Sequence, residues 1–373
     1  MKKLNNLTVL FVVTIVMVLL MLLTIQQPNN ENDDYSLLFP ELQDELSKID
    51  RVSFVSTEGN FSLVKEGDEW FVPERWNYLA DYNLVKRALF DIAETKILER
   101  KTADPEKYSI LGVAESDVEE AESVKISFFT SENEDPIVNL ILGNIRETGG
   151  GVGPSQRYVR RVEQEKSWLA QGYLNINPVM LNWIKGELIH IDRNRVRQVN
   201  IIQPSGETAT IINMGEKDKF GVPNMTKGTV FKYKQLGYDI AGTLNELHME
   251  DVQPAAGFSR GDVDVVEAEF ITYDGLKVTV QTSFIDGSYF SSFRVLYDET
   301  LRVDAPEDIQ QLNVLKTPEQ IEQEVVKLNM QLQPWIYKVA GFSGTNMMRL
   351  EADIVTRTNQ EIPMPADMTG FGQ

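Results

Sequence analysis

An uncharged run of 19 residues, Leu7–Ile25, constrains this chain more than any other feature. As a helix rising 1.5 Å per residue it reaches about 28 Å, close to the roughly 30 Å hydrocarbon core of a bilayer. Fourteen of the 19 are Leu, Val, Ile or Phe, each favouring insertion by about 0.3–0.6 kcal/mol near the helix centre. A cleaved signal peptide would carry a shorter apolar region of about 7–15 residues, ending at a small-x-small site. Here the run ends Leu22-Leu23-Thr24-Ile25-Gln26-Gln27-Pro28, and no Cys follows to carry a lipid. The reading is an uncleaved transmembrane anchor. Lys2 and Lys3 precede it, and positive charge stays cytoplasmic, so the rest of the chain is expected outside the cytoplasm.

Beyond Ile25 the chain carries 34 basic and 56 acidic residues, a net of −22. Such a surface repels nucleic acid and anionic lipid head groups, which argues against both as partners. The absence of Cys excludes disulfides, thiolate zinc sites, iron–sulfur clusters and a Cys nucleophile, and two His leave little for a histidine metal centre. Hydrophobic residues at 42% of 373 supply ample core.

Periodicity gives an α+β chain with an internal repeat. Residues 1–25 form the anchor and 26–36 a polar linker. A short helix follows Pro40, with Leu42, Leu46 and Ile49 at helical spacing. Arg51–Gly59 and Gln198–Gly206, offset by 147, are both alternating strands ending in a Gly turn. A second strand and an aromatic Val-Pro follow each: Trp70-Phe71-Val72-Pro73 and Phe220-Gly221-Val222-Pro223. Then comes a helical stripe, Leu84, Ala88, Leu89 and Ile92 in the first copy, and Ile240, Leu244 and Leu247 in the second. Leu89, Ile92 and Ile97 align with Leu244, Leu247 and Val252 at an offset of 155.

A run of strands closes each copy: Val124–Phe129, Ile137–Leu142, Gln156–Val162 and Ser167–Ala170, then Val265–Thr272, Leu276–Phe284 and Tyr289–Leu296 around an Asp274-Gly275 turn. Between the copies a helix is expected from Pro178 to about Leu188, capped by Asn177 and carrying Trp183 on its stripe. Thr317-Pro318-Glu319-Gln320 is a capping box opening a helix with Ile321, Val325, Leu328 and Leu332 on one face, stopped by Pro334. The copies are assigned 37–190 and 191–315, with a C-terminal helix and strand at 316–360 and a disordered tail at 361–373.

No catalytic, cofactor or metal set survives inspection. Gly257-Phe258-Ser259-Arg260-Gly261 matches a nucleophile elbow in letters, but no helix pattern follows it and no His lies after the Ser. Gly149–Pro154 reads as a hairpin loop, because Pro154 has no N–H to offer a phosphate. Ser62 and Lys65 sit three apart on a strand and face opposite ways. His190 and His248 have no histidine partner at metal spacing, and Glu115–Glu120 lacks calcium-loop spacing. Arg157, Arg160 and Arg161 form a basic cluster in an acidic chain: either an anion or partner contact or, as the preferred reading, pairs with acidic neighbours on the same sheet.

Several motifs occur together: Leu38-Phe39-Pro40-Glu41-Leu42, Gly67-Asp68-Glu69-Trp70-Phe71-Val72, Tyr78-Leu79-Ala80-Asp81, Glu106-Lys107-Tyr108-Ser109-Ile110-Leu111-Gly112-Val113, Leu142-Gly143, Tyr158-Val159-Arg160-Arg161, Ser167-Trp168-Leu169 and Trp183. In these the chain resembles the bacterial domain-of-unknown-function family 4340, over about residues 37–255. The resemblance implies a protein held in the inner membrane by one N-terminal helix, facing the periplasm, often encoded near ABC-type permeases and gliding-motility-type transporter components. It brings no catalytic residues. The expected function is a non-enzymatic accessory or scaffold of an inner-membrane ABC-type transport or envelope complex. The alternative is a periplasmic hydrolase using a carboxylate pair.

Overall fold

The computed structural model describes residues 36–115, 123–146, 154–223 and 229–357. The Leu7–Ile25 run, the Gly149–Gly153 loop, most of the Glu115–Glu120 run and the tail from Glu361 lie outside the described residues. Among the described residues no helix is long and apolar enough to cross a membrane. The fold is mixed α+β, built on large antiparallel sheets, and the chain divides into two compact units. The first holds residues up to Gly67 and Asn83–Val179; the second holds Asp68–Tyr82 and everything from Met180.

Up to Gly172 the chain forms β1 (Ile49–Ser56), β2 (Gly59–Glu66), β3 (Glu69–Val72), β4 (Tyr78–Leu79), β5 (Lys96–Arg100), β6 (Val124–Thr130), β7 (Asn133–Arg146), β8 (Ser155–Arg161) and β9 (Ser167–Gly172). The first unit orders its strands β2-β1-β6-β7-β8-β9-β5. Alternation decides the faces. Val52, Phe54, Leu63, Ile126, Phe128, Leu140 and Leu142 are buried while Arg51, next to Val52, is exposed, as a period of two requires. Phe54 lies opposite Phe61 and their rings stack at 4.4 Å. The Tyr82–Ala93 helix buries Val85, Ala88, Leu89 and Ile92. Ile141 takes the other face, with Tyr108 and Val113.

The second unit adds β10 (Glu187–Ile189), β11 (Val196–Ile202), β12 (Thr208–Asn213), β13 (Phe220–Gly221), β14 (Thr229–Phe231), β15 (Leu247–Pro254), β16 (Val266–Thr272), β17 (Leu276–Ile285), β18 (Ser288–Tyr297), β19 (Trp335–Val339) and β20 (Val355–Arg357). Its sheet runs β13-β12-β11-β16-β17-β18-β19-β15-β10, and β14 pairs with β20. The run β12-β11-β16-β17-β18-β19-β15 repeats the order of the first unit element for element. Irregularities recur as well. The register slips between Ile49 and Arg51 where β1 meets β6, and between Val196 and Gln198 where β11 meets β16. It slips again between Ile97 and Glu99 on β5, and between Met249 and Asp251 on β15.

The repeat's helix in the second unit, Leu236–Ala241, ends as Tyr82–Ala93 does in the first copy. Asp91-Ile92-Ala93-Glu94-Thr95 and Asp239-Ile240-Ala241-Gly242-Thr243 share one cap, in which Thr95 Oγ1 donates to the Asp91 carbonyl and Thr243 Oγ1 to that of Asp239. This sets the helix offset at 148 and corrects the alignment at 155: Ile92 matches Ile240, while Leu247 already begins β15.

Two further corrections concern helices and boundaries. Asn177 does accept from the Val179 amide as a cap, yet only a 3-10 turn, Met180–Trp183, follows before β10. Ile184 instead bridges to Ala80, and the Lys185 amide donates to the Leu79 carbonyl. Those tertiary partners, with Gly186 behind them, outcompete helix propagation in a short segment. The segment after Lys316 is not an appendix either. Its helix, Pro318–Leu332, is closed by the Thr317–Gln320 capping box as expected, but it leads straight into β19, which pairs with both β15 and β18 inside the sheet.

Candidate binding cleft

One wall of a cleft in the second unit is the β3–β4 hairpin. Phe71 pairs with Leu79 and Val72 with Tyr78. The hairpin turns through Trp76 and Asn77, both left-handed at φ 52° and 56°. Two successive left-handed residues suit Asn-Gly far better than Trp-Asn; an indole there stores strain of about 1–3 kcal/mol. Trp76 is nonetheless 52% exposed. The hairpin is clamped from both sides, by Ala80 N–H to the Trp70 carbonyl and Asp81 N–H to the Trp183 carbonyl, and Arg75 Nε lies 3.3 Å from Asp251.

The other wall is the Pro318–Leu332 helix. Its buried stripe is Ile321, Leu328 and Leu332, and its opposite side leaves Val326 and Met330 60% and 75% exposed. Between the walls lies an open cleft of about 860 Å³. Phe71, Leu79, Val326, Met330 and Trp335 give it an apolar lining; Glu69, Glu319, Glu322, Lys185 and Lys327 are charged around them. This volume falls within the range of ligand-binding sites. Tyr78 also lines it, edge-on to Trp335 at 5.0 Å and to Tyr337 at 6.3 Å.

The helix wall is held by a buried ionic network. Arg195 Nε donates to Asp274 at 2.7 Å, and its terminal nitrogens grip Glu324 at 3.0 and 2.7 Å. Lys316 adds its ammonium to Glu324 at 2.7 Å and its amide to Asp274 at 2.9 Å. Burial pushes the Glu324 carboxyl up, but Arg195 and then Lys316 outweigh that and hold it below its ordinary range. Glu319 is held low as well, by its own backbone N–H and Thr317. A glycosidase acid needs the opposite shift.

Burial pushes the Tyr78 hydroxyl from 10 up to about 12, with the Tyr337 hydrogen bond pulling the other way. A raised folded value means stability fully present below pH 10 and lost as pH climbs from 10 towards about 12, about 2–3 kcal/mol at 1.36 kcal/mol per unit. Denaturant midpoints across that window are expected to fall, and Tyr78→Phe to make the fall shallower. Parallel curves for the two proteins would refute this.

The residues singled out in the sequence lie elsewhere. Arg157 is buried and donates to the Gly143 and Leu174 carbonyls, and burial lowers its guanidinium to about 10. Arg160 is buried over the Tyr108 ring, donating to the Val113 carbonyl and to Glu115 at 2.7 Å. Arg161 stacks on Phe39 and donates to the Leu38 carbonyl. Of the three, Arg160 makes the ion pair; Arg157 donates to carbonyls, and Arg161 to a carbonyl beside a ring, with its buried Nε left without a hydrogen-bond partner among the described residues. Ser259 lies in a loop between β15 and β16, its hydroxyl accepting from the Gly261 amide. His190 and His248 are exposed, His190 3.7 Å from Glu187. Among the described residues no group of three or more His, Cys, Asp or Glu is placed to hold a metal. No sequence motif announced the cleft, since its walls lie some 240 residues apart in the chain.

Large antiparallel sheets and, in the second unit, an open, largely apolar cleft define an α+β protein with a surface suited to binding. The chain belongs to the family described as domain of unknown function (DUF4340), which it matches over residues 70–260. No curated protein and no solved structure matches it.

Proposed function

We propose that this DUF4340 protein is a duplicated, membrane-tethered binding module, an accessory of an inner-membrane ABC-type transport or envelope complex, working on the periplasmic side. The observation that carries the reading is the cleft. Two large apolar side chains, Val326 and Met330, stand in solvent on a helix that a buried ionic network holds in place. Exposed apolar surface with a fixed backbone behind it is what a protein partner uses. We place the contact there rather than at Arg157, Arg160 and Arg161, whose guanidinium groups each donate to a main-chain carbonyl inside the first unit. The Leu7–Ile25 run supports the tether, which would confine the module near membrane partners and raise its effective concentration.

Two measurements test this. Alkaline phosphatase fused after Gln373 should be active, and a reporter active only in the cytoplasm would overturn the topology. A photocrosslinker at Met330 in intact membranes should trap a membrane protein, with loss of function when Leu7–Ile25 is replaced by a cleavable export signal. Full complementation by the released domain would sink the tether argument.

A further inference from the structure

Resting on that reading, the chemistry of the cleft narrows its occupant. Main-chain edges on the hairpin wall are already used: β4 pairs with β3 on one side and meets Trp183–Lys185 on the other. A partner therefore gains little by adding a strand to β4 and must bind through side chains. The facing wall is a helix of 15 residues, about 22 Å long, with Val326 and Met330 one turn apart along its open side. That is the surface a second helix packs on, its apolar residues spaced i, i+3 or i+4, and i+7.

Charge sets the rest. Glu69, Glu319 and Glu322 face Lys185 and Lys327 around the cleft, and none of the five is in a salt bridge among the described residues. The excess carboxylate sits in the field of a chain carrying −20, which repels an acidic segment and steers in a basic one. Trp76, strained and exposed beside the cleft residue Asn77, offers an indole to a cation as well as to an apolar side chain. We propose that the cleft seats an amphipathic helix of a partner protein whose apolar face is flanked by lysine or arginine.

The test uses full-length protein in detergent micelles as bait for a phage-displayed library of random peptides of about 18 residues, long enough to match the helix wall. The Val326→Glu, Met330→Glu double variant serves as counter-selection. Both positions are exposed, and an unchanged thermal midpoint verifies the fold. Enriched peptides should carry apolar residues at helical spacing and net positive charge, and turn helical when bound. Synthetic copies should bind the double variant about tenfold or more weakly. They should also lose affinity for Glu69→Lys, Glu322→Lys, for which twins with Lys changed to Glu gain. Enriched peptides that are acidic, that bind extended, or that bind the counter-selecting variant equally would overturn the proposal, as would no enrichment at all. Its failure is separable from that of the functional reading: a Met330 crosslink to a membrane protein alongside acidic or extended peptides leaves the module standing and removes the basic helix.

Discussion

Replacing Arg195 with Ala is expected to cost the second unit about 3–5 kcal/mol, because it takes the buried guanidinium from two buried carboxylates and leaves Lys316, on Glu324, as the remaining cation of the network. Arg195 and Asp274 are each 2% exposed, and Glu324 is mostly buried. A midpoint drop of about 6–20 °C follows for a unit of this size. The pH dependence distinguishes this from simple loss of packing. In the native protein the Glu324 carboxyl lies below its ordinary 4.5. Its contribution is therefore fully present above about pH 4.5 and is lost as pH falls through the depressed folded value. Without Arg195, burial is left to act with weaker opposition from Lys316, the carboxyl rises, and acid should destabilise the variant less steeply than the wild type. Equal acid limbs in the two proteins would refute the network's role. Because Glu324 stands on the cleft helix, the variant should also loosen the Val326–Met330 wall and weaken any partner held there.

The meanders were legible because each strand is half-buried, and half-burial writes a period of two into the sequence. β16 and β17 also carry Asp274-Gly275, with Gly275 at φ +88°, the backbone an Asp-Gly turn demands. The repeat was legible for the same reason, through strands rather than through identity. Its helices misled. Ile240, Leu244 and Leu247 have helical spacing, but Gly242 stops the helix at Ala241 and the later two are buried by a turn and a strand. The cap Asp-Ile-Ala-x-Thr marked the true register in both copies. It is faint beside the apolar stripe, because a cap repeats at only a few letters whereas a stripe runs through several turns. The inter-copy helix failed because a cap and a stripe of one or two turns cannot outweigh partners supplied by Leu79 and Ala80, about a hundred residues away.

The site was less legible than the fold, for two physical reasons. The arginines looked like one cluster because they are adjacent in sequence, but a strand sends Arg157 and Arg161 to one face and Arg160 to the other, each to different partners. The cleft, conversely, joins residues around 69–79, 185 and 319–335, and no local period records such a meeting. Val326 and Met330 did carry a trace. They are large apolar residues on the polar side of a well-capped helix, a mismatch that an amphipathic reading tolerates singly and that here occurs as a pair one turn apart.

Trp70→Ala and Trp183→Ala are each expected to cost about 3–5 kcal/mol, the range for truncating a buried Trp. Both are 4% exposed, Trp183 reaching its burial from a 3-10 turn rather than from the expected helix. The two share one task. Ala80 N–H donates to the Trp70 carbonyl and Asp81 N–H to that of Trp183, so the main chain that the two buried indoles hold in place flanks both sides of the segment leaving β4. Removing either lets that segment shift, after which the second has less native geometry to lose. The double variant should therefore cost less than the sum of the singles, by about 0.5–3 kcal/mol of coupling. Denaturant titrations of the four proteins measure this directly. Strict additivity would mean that the tryptophans fill separate parts of the core, and the β3–β4 hairpin would then need another explanation for how its strained Trp76 turn is held.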